Sequence, residues 1–380
     1  MSGAGRRRRQ RRPRRWQTHE DDDGQRKASR RSQETGEEAE RGRQGQAGQE
    51  AGRPGPEHAP AHGAGLIPDG AGLAVTGGDV EAAAERIAGL VRRTPLLPLD
   101  GTPLLLKCEG LQETGSFKLR GATNAVRALR PRGVVAASSG NHGRAVAHAA
   151  ARAGIPCVVV MTPDATAFKR AAVEALGARV VDAPPGTDAR NALAASVAVE
   201  EGYEYVPPYD HALVIAGQGT VGLELAADLP ELRCVVVPVG GGGLISGVAT
   251  AVHALLGAQV RVVGVEPAQG NDTVLSLAAG ERVRIDVPQT ICDGARVQSP
   301  GALTFPIMQR EVADVVTAGD AEVVAAMAAM ARSGIVAEPT GALAVAGALR
   351  LGLGGGTVCV VSGRNIAPAE WARLVGAAAG

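Results

Sequence analysis

The chain has 380 residues, enough for one large or two ordinary domains, and 45% of them are apolar while only 2% are aromatic, so its core must be aliphatic and closely layered. The formal net charge of +1 hides an asymmetry: residues 1–65 carry fifteen Lys and Arg against ten Asp and Glu, and the remainder carries twenty-five against twenty-nine. The folded part is therefore mildly acidic, which argues against nucleic acid as a partner, and no run of about 18 apolar residues marks a membrane span.

Residues 1–75 are rich in Arg, Gln, Gly and Glu and nearly devoid of aliphatic residues before Leu66. Such a segment cannot bury enough apolar surface to offset chain entropy, so it is expected to be a disordered, charged extension. Arg6 to Arg15 could meet an anionic surface, but composition alone licenses no partner, and a plain unstructured extension is the preferred reading. Asp21-Asp22-Asp23 stands where a signal peptide's apolar stretch would be. The five cysteines, Cys108, Cys157, Cys234, Cys292 and Cys359, lie far apart without CxxC spacing, as free thiols of a reducing compartment do. The expected location is cytoplasmic.

From about Val80 the texture changes. Continuous apolar runs predict strands at Leu104–Lys107, Val134–Ala137, Cys157–Met161, Arg179–Val181, Cys234–Val239, Val260–Val265, Asp314–Thr317 and Thr357–Ser362. Helical patterns lie between them, at Asp79–Val91, Lys118–Leu129, Gly143–Ala153, Thr166–Leu176, Asp188–Glu201, Gly219–Ala227, Gly243–Leu255, Asp320–Arg332, Gly341–Leu349 and Pro368–Ala378. The alternation predicts an α/β protein with mostly parallel, twisted sheets flanked by helices. Residues 76–380 are expected to form two lobes, the smaller at about 120–220 and the larger from the remainder, with a ligand between them at the carboxyl ends of strands.

Four motifs carry chemistry. Glu113-Thr114-Gly115-Ser116-Phe117-Lys118-Leu119-Arg120-Gly121-Ala122 puts Lys118 in the first turn of a helix, where the macrodipole disfavours a cation. A lysine with a lowered pKa suits Schiff-base chemistry, in which the neutral amine is the nucleophile. Ser138-Ser139-Gly140-Asn141-His142-Gly143 follows a strand and opens a helix, so its backbone N–H groups can take a carboxylate. There Asn141 can bond a phenolate oxygen and Ser139 can pass a proton, while His142 is read as packing rather than as a base. Gly240-Gly241-Gly242-Gly243 joins a buried strand to a helix and reads as a phosphate cradle; no Walker A lysine follows. Gly217-Gln218-Gly219-Thr220-Val221-Gly222 spells GxGxxG but lacks the acidic residue about 20 positions on that a dinucleotide site wants, and is read as a tight turn into a helix.

Together these segments resemble the serine/threonine dehydratase and serine racemase family, fold type II pyridoxal-phosphate enzymes of the tryptophan synthase β-like superfamily. Thr94-Pro95-Leu96, Lys107-Cys108-Glu109, Gly217-Gln218-Gly219-Thr220, Thr290-Ile291-Cys292-Asp293-Gly294 and Glu338-Pro339-Thr340-Gly341 look like further signatures in the right order, and the resemblance covers about Ala82 to Ala378. It implies that Lys118 forms the internal aldimine and moves the substrate Cα proton. It implies that Phe117 lines the cofactor ring, Asn141 holds its 3′-oxygen, Gly240, Gly241, Gly242 and Gly243 hold its phosphate, and Ser362 bonds the pyridine nitrogen. Ser138, Ser139, Asn141 and His142 would bind substrate. Ser139 is the acid/base of the racemase branch, on the face opposite the lysine. Arg190 lies where that branch has an arginine facing substrate, although a solvated helix arginine is the commoner explanation. Glu266, Gly270 and Asp272 match, in spacing, a divalent-cation site for Mg²⁺ or Ca²⁺, although an Asp at a helix start is often a cap. Two residues depart from the pattern: Arg364 replaces a glycine after Ser362-Gly363, and Arg144 replaces a glutamine.

The expected activity is dehydration and deamination of L-threonine or L-serine to a 2-oxo acid and ammonia. A serine or amino-acid racemase, or a hydroxyaspartate dehydratase, is the runner-up on the same scaffold. From another class comes a catalytically impaired binding protein in which Arg364 has spoiled the site; a nicotinamide dehydrogenase is the weakest reading. The family suggests a homodimer or homotetramer, and the short stretch after Ser362 predicts no regulatory domain and no inhibition by isoleucine.

Overall fold

The computed structural model describes residues 75–377, and the extension expected over residues 1–75 lies outside them except for Val75. That residue is buried and packs with Val80 and Ala83. In chain order the strands are β1 (Leu96–Pro98), β2 (Leu105–Cys108), β3 (Val134–Ala137), β4 (Cys157–Met161), β5 (Arg179–Asp182), β6 (Glu204–Tyr205), β7 (Cys234–Pro238), β8 (Arg261–Pro267), β9 (Asp314–Ala318) and β10 (Thr357–Val361). They form a six-stranded sheet in the order β1-β2-β10-β7-β8-β9 and a four-stranded sheet in the order β5-β4-β3-β6. Of these pairs only β1–β2 is antiparallel.

The parallel pairing follows from the sequence pattern. Val134–Ala137, Cys157–Met161, Cys234–Pro238 and Thr357–Val361 are buried along their whole length, as strands covered on both faces must be. The covering helices are α1 (Gly77–Ile87), α2 (Lys118–Leu129), α3 (Asn141–Ala153), α4 (Ala167–Glu174), α5 (Thr187–Glu201), α6 (Ala212–Asp228), α7 (Gly243–Leu256), α8 (Asp272–Ala279), α9 (Thr304–Glu311), α10 (Asp320–Arg332), α11 (Pro339–Arg350) and α12 (Pro368–Ala377). Local chemistry starts several of them. Thr76 and Asp79 close a capping box on α1, and Pro339 opens α11, where a missing N–H costs nothing. No helix among the described residues is long and apolar enough to cross a membrane.

Four elements escaped the sequence reading. β1 and β6 are edge strands of three and two residues, and α8 and α9 have eight residues each, too short to show a period. The larger correction concerns the GxGxxG segment. Helix α6 starts at Ala212, so Gly217–Gly222 lies inside it and is not a turn. Its glycines serve helix packing. A Cβ on Gly217 would lie 2.6 Å from the Cα of Gly121 in α2, and one on Gly219 or Gly222 would lie 2.8 Å from a carbonyl oxygen of α7.

Candidate active site

The motif residues gather at the carboxyl ends of β3, β7 and β10, where Ser138, Gly240 and Ser362 leave the two sheets. Backbone pairing fixes the reactive turn. Phe117 N–H donates to Ser362 O at 3.0 Å, Arg364 N–H donates to Gly115 O at 2.9 Å, and Ser116 bridges Gly363 antiparallel. The Lys118 turn and the Ser362 turn are thus one unit, although about 240 residues separate them.

Lys118 is the first residue of α2, half-buried, with its Nζ 5.0 Å from the centre of the Phe117 ring. Its ammonium donates to the Pro208 carbonyl, and burial pushes its pKa down to about 8. No carboxylate among the described residues pairs with it, so a substantial share of the amine is neutral near pH 8. A lysine in this state can condense with an aldehyde or carry a proton.

The glycine loop lies opposite. Gly242 has φ +89°, a conformation open to glycine at little cost, and leads directly into α7. A Cβ on Gly241 would lie 2.4 Å from the Tyr209 ring, and one on Gly240 would lie 3.2 Å from Gly294 O. Protein fills the space a side chain would need, so only glycine fits there, and the loop's N–H groups stand at a helix N-terminus, a setting suited to an anion such as a phosphate.

Asn141 opens α3, and its amide is held on both sides. Nδ2 donates to Glu338 Oε1 at 2.6 Å, and Oδ1 accepts from Asn365 Nδ2 at 2.6 Å. Burial, with Asp293 nearby, pushes the Glu338 carboxyl up to about 7. The Ser139 hydroxyl accepts from Thr162 N–H at 3.0 Å and shares a 3.0 Å bond with the Thr162 hydroxyl. Ser138 Oγ accepts from Gly140 N–H at 3.2 Å. His142 is buried, with Nε2 2.7 Å from Val206 O, and burial together with Lys118 lowers its pKa to about 3. It is neutral, as the packing reading expects. Ser362 is buried, and its Oγ reaches only a long 3.5 Å contact to Thr340 O, so its donor is free for a better acceptor.

Arg190 is not a solvated helix arginine. It is half-buried, its Nε has no partner, and burial lowers its pKa while Tyr205, Tyr209 and Asp164 counter that from nearby. Glu266 and Asp272 also come together. Glu266, at 0% exposure, accepts from Thr273 N–H at 2.9 Å and Val274 N–H at 3.0 Å, so it caps α8 from β8. The Asp272 cap reading fails: both its carboxylate oxygens are buried without a partner. Burial and Glu266 push Asp272 up to about 8, and burial holds Glu266 at about 7. Both Glu266 oxygens already accept backbone N–H groups, whereas the two Asp272 oxygens are left without donors. Among the described residues no group of three or more His, Cys, Asp or Glu side chains offers a metal site.

Arg364 turns outward. Its side chain is exposed and lies over Gly110, beside Arg144, so it adds no bulk at the Ser362 hydroxyl. Sequence reasoning gave no role to Glu338, Asn365 or Tyr209. Glu338 was visible only as a carboxylate before Pro339 at a helix start, and Tyr209 only as an aromatic after two prolines. An ion pair also links Lys169 in α4 to Asp293 in the loop before α9.

The site fits pyridoxal phosphate on its own residues: an unpaired lysine of lowered pKa, a glycine loop before a helix, and an underused buried hydroxyl in Ser362. Comparison with known proteins agrees. The family model described as pyridoxal-phosphate dependent enzyme matches residues 87–363. The L-threo-3-hydroxyaspartate ammonia-lyase of Saccharomyces cerevisiae is 41% identical over 314 residues, which span 79% of this chain and 96% of that protein. The serine racemase of Schizosaccharomyces pombe is 40% identical over 281 residues, 71% of this chain and 87% of its own length. The crystal structure of a T.th. threonine deaminase superposes with a TM-score of 0.74 at 42% identity, covering 77% of this chain and 99% of that one. With the family model spanning most of the chain and relatives this similar along nearly their whole length, the chain belongs to the pyridoxal-phosphate dependent enzyme family.

Proposed function

We propose that this protein is an ammonia-lyase that removes water from a small 3-hydroxy amino acid, taking 3-hydroxyaspartate ahead of threonine and serine. The observation that carries the substrate choice is Arg190, a half-buried guanidinium with an unpartnered Nε beside Tyr209, which packs on the glycine loop. A second carboxylate on the substrate is the group such an arginine takes best. The relative from Saccharomyces cerevisiae named for hydroxyaspartate supports the same choice.

Pyridoxal phosphate, when bound, supplies the electron sink that lets the Cα–H bond break. Lys118 would anchor it, and its ε-amine is the base that would accept the Cα proton. Gly240–Gly243 would hold its phosphate, Asn141 its 3′-oxygen and Ser362 its pyridine nitrogen, with Phe117 against the ring. The neutral serine hydroxyl leaves the ring a weaker sink than a carboxylate would, which favours a reaction whose leaving group drains charge quickly. The Ser138 hydroxyl and the backbone N–H groups of Ser139, Asn141 and His142 take the substrate α-carboxylate, the Ser138 N–H itself donating to Val160 O. The hydroxyl departs with a proton as water, and the released enamine hydrolyses to a 2-oxo acid and ammonia. Glu266, Gly270 and Asp272 would be the residues to hold Mg²⁺ or Ca²⁺. Residues 120–220 form the smaller lobe and the rest of 76–380 the larger. Ser139, at the carboxyl end of β3, favours a second reading in which a proton is returned to the opposite face and the D-enantiomer forms.

The test is a panel of L-serine, L-threonine and L-threo-3-hydroxyaspartate, with 2-oxo acid, ammonia and D-enantiomer all measured. Hydroxyaspartate should give the highest kcat/KM, and Arg190→Gln should lower that value by about 10- to 100-fold while sparing serine, the loss of one hydrogen-bonded charge pair. Faster turnover of serine or threonine, unaffected by Arg190→Gln, would refute the substrate choice. D-enantiomer forming faster than 2-oxo acid would make the protein a racemase.

A further inference from the structure

The GxGxxG segment, left without a ligand, has a different use. Helix α2 begins at Lys118, where the N–H groups of Leu119 and Arg120 turn back to Ser116 O and Phe117 O and the N-cap Phe117 offers no side-chain acceptor for the next one, Gly121. Helix α6 supplies what is missing. Gly121 N–H donates to Gln218 Oε1 at 3.3 Å, and the close approach of Gly121 and Gly217 brings the two backbones together there.

Arg120, two residues after Lys118, is 0% exposed. Its Nε and NH2 donate to the two oxygens of Glu109 at 2.8 and 2.7 Å. Its NH1 and NH2 donate to the two oxygens of Glu224 at 2.6 and 2.9 Å, and NH1 also reaches the Thr220 hydroxyl at 3.1 Å. Gly217, Thr220 and Glu224 are spaced to lie on one face of α6. Lys107, itself 0% exposed, pairs with Glu224 at 2.7 Å and balances the second carboxylate. Burying such a set is expensive, and an apolar replacement commonly serves stability as well or better. What the fork adds is direction. Residues two apart on a helix point about 200° from each other, so fixing Arg120 against α6 and Glu109 turns Lys118 to the opposite side, where its Nζ meets Pro208 O.

We propose that Gln218, Thr220 and Glu224 of α6, acting through Gly121 and Arg120, are positioning residues that set the angle at which Lys118 presents its amine to the cofactor. This rests on the proposed role of Lys118 and adds that the GxGxxG segment is a clamp on its helix.

The test uses Gln218→Met, which keeps length and removes the acceptor, and Arg120→Lys, which keeps charge and removes the fork, both saturated with pyridoxal phosphate. Cofactor affinity, the pH midpoint of the visible band of lysine-bound cofactor, kcat, KM and melting temperature are measured on the same samples, and borohydride locking is mapped by mass spectrometry. Gln218→Met should stay folded, bind cofactor about tenfold more weakly, shift the pH midpoint and lower kcat more than KM changes, as misdirected groups do. Arg120→Lys should do the same more strongly; should it fail to fold, Gln218→Met decides alone. A lower melting temperature with unchanged affinity, pH midpoint and kcat would overturn the clamp and leave a purely structural role. Parent protein that locks cofactor on another residue, or on none, would instead overturn the role of Lys118 itself, and the clamp with it.

Discussion

Replacing Asp272 by asparagine should make the protein more stable at alkaline pH and leave it unchanged in acid. Both Asp272 oxygens are buried without a partner, and Glu266 lies beside it. Below about pH 3 both carboxyls are mostly protonated in the folded and unfolded chains, so the neutral amide changes little. As pH rises the unfolded chain releases both protons, while the folded chain keeps them until about 7 at Glu266 and about 8 at Asp272. The folded state then binds more protons, and stability falls by up to about 1.4 kcal/mol per pH unit for each group. From an ordinary value of 3.8 to about 8, Asp272 loses at most roughly 6 kcal/mol, and relaxation around the charge reduces this to about 2–4 kcal/mol. Urea unfolding between pH 4 and 9, in chelator, measures it: the parent curve should fall across pH 4–8, and the Asp272→Asn curve should fall less and lie above it at pH 8. Adding Mg²⁺ or Ca²⁺ at a hundred times its dissociation constant should restore about 2.7 kcal/mol to the parent at pH 8 and nothing to the variant. Parallel curves at every pH would refute the reasoning, because a solvated or hydrogen-bonded Asp272 carries no such penalty.

Two further outcomes can be checked by the same unfolding measurements. Lys118→Met should stabilise the cofactor-free protein at pH 7 by about 1–3 kcal/mol, because a folded-state pKa pushed down to about 8 penalises the cation below that pH. That gap should close as pH rises from 8 to 10.5; a gap that widens, or none at pH 7, would show that the lysine is not desolvated. Gly217→Ala must accommodate contacts of 2.6 and 2.9 Å to backbone atoms of α2. Overpacking of about 1–3 kcal/mol should exceed the roughly 1 kcal/mol that alanine gains in a helix, giving a lower melting temperature; an unchanged one would mean the helices can part freely.

Much of this protein is legible in its residues alone. Uninterrupted valine runs such as Cys234-Val235-Val236-Val237 announce strands buried on both faces, because no alternation survives when both sides are core. Glycines between such a strand and a helix mark a candidate anion cradle, and a lysine in a first helical turn marks a candidate amine, but the depressed pKa of Lys118 comes from burial, which only packing supplies. Features that depend on long-range meeting are not legible. Edge strands as short as β1 and β6 owe their extension to a neighbour's register, and the caps on α2 and α8 come from Gln218 and Glu266 on other elements.

The sequence by itself determined the α/β class, the order of the main elements and the residue types at the site, because propensity, hydrophobic period and helix-end electrostatics are local. Tertiary structure alone decided that the GxGxxG segment is helix interior, that Glu338 and Asn365 grip Asn141, and that the half-buried Arg190 and the buried Asp272 have atoms left unpaired. Those outcomes depend on which backbones approach closely and which polar groups lose water, and both are set only when the two sheets and their helices pack.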